Sequence, residues 1–421
     1  VAISIKSDGT FSIEYVGPYA GLNVAAPETN IPDNASPAFN NFMLRNAEIR
    51  SRPAFVQAIA GPGGANPQIG GIDSFLDING TYHTVLWTNT NFWQYNPLLL
   101  PSPPWSNLGS FSFGPNPISY RTFANTIYWT NVSQFQGSVV PKTSYWDGIT
   151  ANYVGTQTFA DASTAFSVAG ISLTDSPTVG GSLPGGPTIV GPIAIGAQYL
   201  SELNNQLILA NVSILDQGTG PAPGTIHNFP NLIWWSANGL PLQWDPTQNI
   251  SAGFNPFLDV SDQITGLSMQ GVAGFIFRTY GITQMTPTGS SVTPWEFDHM
   301  WASERGIGSV LPWSIAQYGP TTAFVAEDNI YSISIANATP IGGTARDAIM
   351  ADIANAVSIN PVANIIPTFS AGYVYLTYQL ILTLSSGGTL FTRFWIYSFE
   401  DKNWSSWDSS VINVVAPPNS V

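Results

Sequence analysis

The sequence predicts an all-β fold, a β-propeller of about six blades, and three observations carry that expectation. Three short apolar runs, Leu232–Trp235, Gly274–Thr279 and Thr322–Ala326, are each followed by a turn and a second short run. Paired strands of this kind, recurring at a pitch of roughly forty to fifty residues, are what propeller blades look like in one dimension. The chain is rich in turn formers, with 39 Gly and 33 Pro in 421 residues, so long helices have little room. Hydrophobic residues make up 44% and aromatics 13%, enough to fill a core, whereas only 9% of residues are charged.

Taken in order, Val1, Ile3 and Ile5 alternate with polar residues, Asp8-Gly9 marks a turn, and Phe11, Ile13 and Tyr15 alternate again, which predicts a hairpin. Residues 17–37, with Pro18, Pro27, Pro32 and Pro37, read as extended chain. A second hairpin is expected around the turn at Asn46-Ala47-Glu48. It gathers Arg45, Arg50 and Arg52, either as a solvated edge or as a contact to an acidic neighbour.

Blade-like units follow. Ile69–Phe75, Tyr82–Trp87 and Phe92–Tyr95 form the first; Ile118–Phe123, Thr126–Trp129 and Ser144–Trp146 form the second. The strings LWTNTNFWQYN and IYWTNVSQFQG occupy matching places in these two units. Residues 155–197 break the rhythm: they are rich in Ser, Thr, Gly, Ala and Pro, and read as an inserted arm that orders on assembly. A third unit comprises Ala197–Leu203, Gln206–Ala210 and Leu232–Trp235; a fourth comprises Ile264–Met269, Gly274–Thr279 and Gly281–Met285. The fifth is expected to start at Trp295–Met300 and Val310–Ile315 and to continue with Thr322–Ala326 and Ile330–Ile335. A helix over Ala345–Ser358 is predicted from Ile349, Ile353 and Val357 at four-residue spacing, with Thr344 as N-cap. The last unit holds Ala371–Thr377, Leu380–Leu384, Thr389–Ser398 and Trp404–Trp407. Because the insertion blurs the third boundary, five or seven blades are the alternatives. The expected organisation is an N-terminal hairpin and arm over 1–35, the propeller over 36–410 and an extended tail over 411–421.

The formal charge of −14, with eleven Lys and Arg, argues against gripping nucleic acid through its phosphates, though DNA could slide past such a surface. With no cysteine there is neither a disulfide framework nor a thiolate metal site, which favours assembly in a reducing cytosol. No apolar run reaches the ~18 residues of a membrane helix, and no leader pattern is present, so no membrane anchor is expected. A chain beginning at Val1 fits a removed initiator Met or a trimmed end.

Catalytic signatures are missing. His83, His227 and His299 lie far apart without metal-ligand spacing, and His83 reads as packed within a strand. No nucleophile elbow, P-loop or dinucleotide fingerprint occurs. Propellers can carry glycosidases, which need two carboxylates about 5–9 Å apart. The acids near strand ends are Asp73, Asp77, Asp147, Glu202, Asp245, Asp259, Asp262, Glu296, Asp298 and Glu304. Asp245 and Asp298 lead this set, because both neighbour Trp residues able to stack on sugars; the competing reading is that the acids solvate turns. The fourteen Trp residues mostly adjoin apolar strands, which favours packing between blades over sugar platforms. No catalytic, cofactor or metal residues are assigned.

The ordered motifs WWSANGLPLQWDP, DQITGLSMQGVAGFIFRTYGITQMTPTG and WASERGIGSVLPWSIAQYGPTTAFVAEDNIYSIS resemble the β-propeller structural proteins of tailed-phage virions. NNFMLRNAEIRSRP resembles the opening hairpin of that family. The resemblance covers roughly residues 36–56 and 231–410; the 155–197 insertion and the low charge depart from it. It implies a nozzle or hub protein of a short-tailed phage. Such a protein is a non-enzymatic ring, usually of six copies, below the portal and adaptor and near tail fibres or tailspikes. DNA passes through it without specific binding, and it is assembled in the bacterial cytoplasm. The alternative is a glycan-binding or glycan-cleaving propeller.

Overall fold

A computed structural model describes residues 2–5, 11–14, 42–45, 48–51, 62, 69–88, 90–96, 98, 104–110, 118–131, 142–149, 167–172, 188–190, 193–216, 226–244, 249–257, 262–300, 307–334, 337–357, 362–370 and 373–409. The protein is an all-β propeller whose blades are six antiparallel sheets, with a single short α-helix among the described residues. By contact density the chain divides into two units, residues 58–310 and residues 1–57 together with 311–419.

The 58–310 unit holds four blades. Blade 1 is Ile69–Leu76, Tyr82–Thr88, Asn91–Tyr95 and Trp105–Ser110. Blade 2 is Ser119–Phe123, Thr126–Asn131 and Lys142–Trp146. Blade 3 is Ile193–Leu203, Gln206–Asp216, Ile226–Trp235 and Gly253–Pro256. Blade 4 is Ile264–Gln270, Ala273–Arg278, Ile282–Pro287 and Trp295–His299. Each is a meander in which sequence neighbours pair. The other unit holds blade 5, Ala316–Tyr318, Thr321–Val325, Ile330–Ser334 and Asn337–Pro340. It also holds blade 6, Val362–Ser370, Tyr373–Ser386, Thr389–Ser398 and Asn403–Ser409. Both expected N-terminal hairpins are present, Ala2–Ile5 with Phe11–Glu14 and Phe42–Arg45 with Glu48–Ser51.

Tight turns set the registers. Leu203 faces Gln206 and Phe123 faces Thr126, which leaves two-residue loops at Asn204-Asn205 and Ala124-Asn125. All four loop residues have positive φ, the geometry whose twist matches that of the flanking strands. Between the blades of the 58–310 unit, apolar side chains fill two cores. Phe75, Trp87, Phe92, Ile127, Trp129 and Trp146 pack blade 1 against blade 2. Tyr128, Leu200, Leu209, Phe229, Trp234 and Trp244 pack blade 2 against blade 3. Hydroxyls stitch the same seams: Thr130 Oγ1 accepts from Ala197 N and donates to Ala197 O, both at 2.8 Å. Thr143 Oγ1 donates to Ile195 O at 3.0 Å. Asn211, placed by a bulge at φ 58°, donates to Ile264 O at 3.0 Å and so ties blade 3 to blade 4.

Several sequence expectations shift. Trp295–His299 closes blade 4 instead of opening the fifth unit, because it pairs with Ile282–Pro287. Val310–Ile315 forms a turn, and blade 5 starts at Ala316–Tyr318. Leu380–Leu384 is no separate strand, since pairing to both neighbours makes Tyr373–Ser386 continuous. The helix is shorter than expected, Arg346–Ala354 after a 3-10 turn at Gly343–Ala345; Thr344 lies within that turn and is not the cap. Ile349 is buried but Val357, beyond the helix end, is 54% exposed, so only part of the predicted stripe packs. Within 155–197, Ser167–Ser172 pairs with Thr188–Val190, and Ile193 already belongs to blade 3. Most of the insertion, the 411–421 tail and Arg52 lie outside the described residues.

Candidate functional site

The first strands of blades 1, 2 and 3 bring three ionisable side chains into one electrostatic neighbourhood: Asp73, Arg121 and Glu202. The strand sequences explain the placement. In IGGID, Gly71 is required because a Cβ there would stand 2.7 Å from the Tyr120 ring. That clearance lets Tyr120 stack on Trp87 with ring centroids 4.5 Å apart, and its hydroxyl donates to Ile72 O. Blade 2 meets blade 3 one residue earlier, where Ser119 Oγ accepts from Leu200 N at 2.8 Å and donates to Leu200 O at 3.3 Å. Arg121 and Glu202 therefore extend from strands pinned on both sides.

Burial pushes the Asp73 carboxyl up to about 6, against the opposing pull of a backbone hydrogen bond at Ser74 and of the Arg121 charge. Burial likewise raises Glu202, again opposed by Arg121. Yet Arg121 makes no direct ion pair among the described residues, whose salt bridges use other cations. The site is thus a guanidinium between two carboxyls, one of which is half protonated near pH 6. Chemically it can hydrogen-bond a hydroxyl-rich molecule through a guanidinium and two carboxyls whose hold on a proton burial strengthens. Tyr120 adds no nucleophile, because burial holds its phenol well above the usual range and neutral.

Of the other candidate acids, Asp77, Asp147 and Asp262 are engaged elsewhere. Asp77 is buried and accepts from Thr81 N at 2.8 Å and Asn79 N at 2.9 Å, closing the first turn of blade 1. Its carboxyl is held below the usual range by the Thr81 bond above all. It also faces His83 Nε2 at 3.2 Å, while Gln94 bonds His83 Nδ1 at 2.9 Å, so His83 is packed within the sheet, as expected. Asp147 accepts from Ile149 N in a turn. Asp262 accepts from Arg278 Nη1 at 3.3 Å and from Tyr280 N at 3.0 Å. Glu296 and Asp298 are exposed on the last strand of blade 4.

Asp245, Asp259 and Glu304 lie outside the described residues. Trp244 beside Asp245 is 1% exposed and Trp295 near Asp298 is 6% exposed, so neither of these two can stack on a sugar, while Trp301 lies outside the described residues. Among the described residues, the Trp side chains on the strands serve mainly as core, and no group of His, Asp and Glu could hold a metal ion. Arg121 was absent from the sequence-derived candidates. Its signal, a lone basic residue on a first strand whose neighbours carry acids, becomes visible only once blades are aligned by position.

No protein-family profile matches the chain, and no curated protein matches it by sequence. Among solved structures, YjhT is similar with a TM-score of 0.39 at 7% identity, covering 82% of this chain and 99% of that one. The N-terminal domain of Nup159 gives 0.35 at 10% identity, with 75% and 73% covered. A subtype N11 neuraminidase-like protein from flat-faced bat gives 0.33 at 8% identity, with 88% and 92% covered. At these scores the likenesses say nothing of activity; the propeller class rests on the six sheets themselves.

Proposed function

We propose that the chain is a non-catalytic building part of a tailed-phage tail, a propeller that assembles with copies of itself into a ring of the nozzle or hub kind. The observation that carries this reading is the order of the blade motifs from Asn231 to Ser334 together with the Arg-rich opening hairpin. Supporting it, three of the seven described candidate acids, Asp77, Asp147 and Asp262, are spent on turns and an ion pair. The strongly acidic balance suits a wall along which DNA slides. Mass spectrometry of purified phage particles, with native mass measurement of the isolated protein, tests the reading. It expects the chain in the tail and a closed ring, most simply of six copies. A protein absent from particles and monomeric in solution overturns it.

A second reading, a glycan-binding or glycan-cleaving propeller, is favoured by one specific observation, the Asp73–Arg121–Glu202 trio. In that reading Asp73 is the proton donor and Glu202 the second carboxylate, with Arg121 orienting hydroxyls between them. A neuraminidase-like protein among the structures of similar fold is compatible with it without arguing for it. A glycan array with the wild type and with D73N and E202Q decides: binding or cleavage lost in both variants supports the second reading, and no glycan signal from the wild type removes it.

A further inference from the structure

In each four-stranded meander, the connections between strands 1 and 2 and between strands 3 and 4 emerge at one end, and the remaining connections at the other. In the 58–310 unit the blades are aligned so that these ends coincide. Asn125 Nδ2 in blade 2 donates to Leu76 O and Asp77 O in blade 1, Gly148 lies against His83 and Asp77, and Gly274 lies against Leu203. That shared end collects apolar side chains. Except for Tyr280, Val357 and Leu390, every large apolar side chain exposed among the described residues lies there. They include Leu98 at 90% exposure, Ile78 at 77%, Val272 at 75%, Tyr82 at 66%, Val292 at 63% and Ile250 at 56%. Single exposed apolar residues mean little, but their concentration on one end does.

Two further observations say what this end fits. Among the described residues of its connections (76–82, 96, 98, 104, 124–125, 147–149, 204–205, 236–244, 249–252, 271–272 and 288–294) the charged ones are Asp77 and Asp147. Of these Asp77 is buried. Depletion of charge with Tyr and aliphatics present is the composition of an interface centre. The loops are also held in shape. Asp77 caps the turn under Ile78, Asn249 Oδ1 and Ser251 brace the segment around Ile250, and Ser290 Oγ accepts from Val292 N and Thr293 N. Little ordering entropy remains to be lost on contact.

We infer that this end of the 58–310 unit is a self-association surface on which a second copy of the chain docks with the same end. A charge of −14 makes copies repel wherever acids face each other, and an uncharged apolar end is where they can approach. A cationic partner or a nucleic acid finds no charge to pair with here. The matching apolar, neutral surface is the same end of another copy, which a two-fold contact brings against itself. The inference stands on surface chemistry and does not depend on the virion reading.

Analytical ultracentrifugation of the full chain tests it, comparing wild type with I78D, V272D, the I78D/V272D double variant and L390D, whose site lies in the other unit. The wild type is expected to self-associate, each single variant to do so at least about tenfold more weakly, and the double variant to lose the contact, because two-fold symmetry places every added charge against its copy. L390D is expected to behave as wild type. Unchanged thermal unfolding in all variants keeps misfolding out of the comparison. A monomeric wild type, a double variant that assembles as the wild type does, or a loss in L390D equal to that in I78D overturns the inference. An intact ring in the double variant would leave the virion reading standing while removing this surface.

Discussion

Two arginines in the 58–310 unit do opposite things. Arg278, at the end of the second strand of blade 4, is 1% exposed; its Nη1 bonds Asp262 at 3.3 Å and its Nη2 meets His299 Nδ1 at 3.2 Å. Its guanidinium also sits 5.8 Å from the centre of the Phe257 ring, while its Nε has no partner among the described residues. Arg121 is partly exposed and makes no direct ion pair there, although it acts on two carboxyls. The first is structural: a buried charge that must be compensated, so every neighbour is committed to it. The second is uncommitted, and its charge is open to solvent or to another molecule. The difference teaches that burial, not residue type, separates a propeller's braces from its candidate site.

The largest effect should come from breaking the buried brace. R278A leaves Asp262 without its cation and should cost about 3–5 kcal/mol, read as a lower urea midpoint. A third arginine, Arg393 in blade 6, is intermediate. It bonds Asp408 through Nε at 2.7 Å and Nη2 at 3.0 Å, and Asp352 of the helix at 3.0 Å, but it is 26% exposed. R393A should therefore cost less, about 2 kcal/mol, and loosen the helix first in hydrogen exchange.

Asp73 tests the other side of the comparison, and the sign is opposite to that of a salt-bridged acid. Its carboxyl is raised from the ordinary 3.8 to about 6 by burial, so between those values the folded state holds a proton that the unfolded state has released. Stability due to this group is present at low pH and is lost as pH rises from about 4 to about 6. D73N should thus stabilise the protein at pH 7 by about 2 kcal/mol and flatten that part of the pH–stability curve. A carboxyl that instead gained stability over this window would show Arg121 to be a true partner.

R121A should produce the smallest change in stability, below about 1 kcal/mol by urea unfolding. It should also move the Asp73 titration further upward, because the charge that lowers it is gone. Carboxyl-resolved NMR titration reads that shift directly. A loss in R121A comparable to that in R278A would erase the distinction between the two arginines.

Much of the fold was legible because its cause is local. Strand pairs with Asn-Asn or Ala-Asn turns, alternating apolar residues and Trp-rich centres carry their conformation in short windows, and Ile69–Phe75, Thr126–Trp129 and Gly274–Thr279 were found within a few residues of their observed bounds. Where strands were misplaced, a distant partner decided. Trp295 joins blade 4 only because Pro287 faces it, and Tyr373–Ser386 is continuous because both neighbours pair along it. The site was legible in part. Asp73 and Glu202 stood among the acids, but Asp245 was favoured for Trp244 beside it in sequence, which the fold buries.

The sequence by itself determined the all-β class, the blade rhythm, the acidic and cysteine-free balance, and the scarcity of catalytic signatures. All of these follow from composition and from interactions spanning a few residues. Only the tertiary structure decided that Arg121 would stand between acids 48 residues before it and 81 after it, and that exposed aliphatics from four blades would share one end. Both depend on how separate sheets stack. That stacking is fixed by non-local contacts such as Tyr120 to Ile72 and Ser119 to Leu200, whose energies no window of neighbouring residues contains.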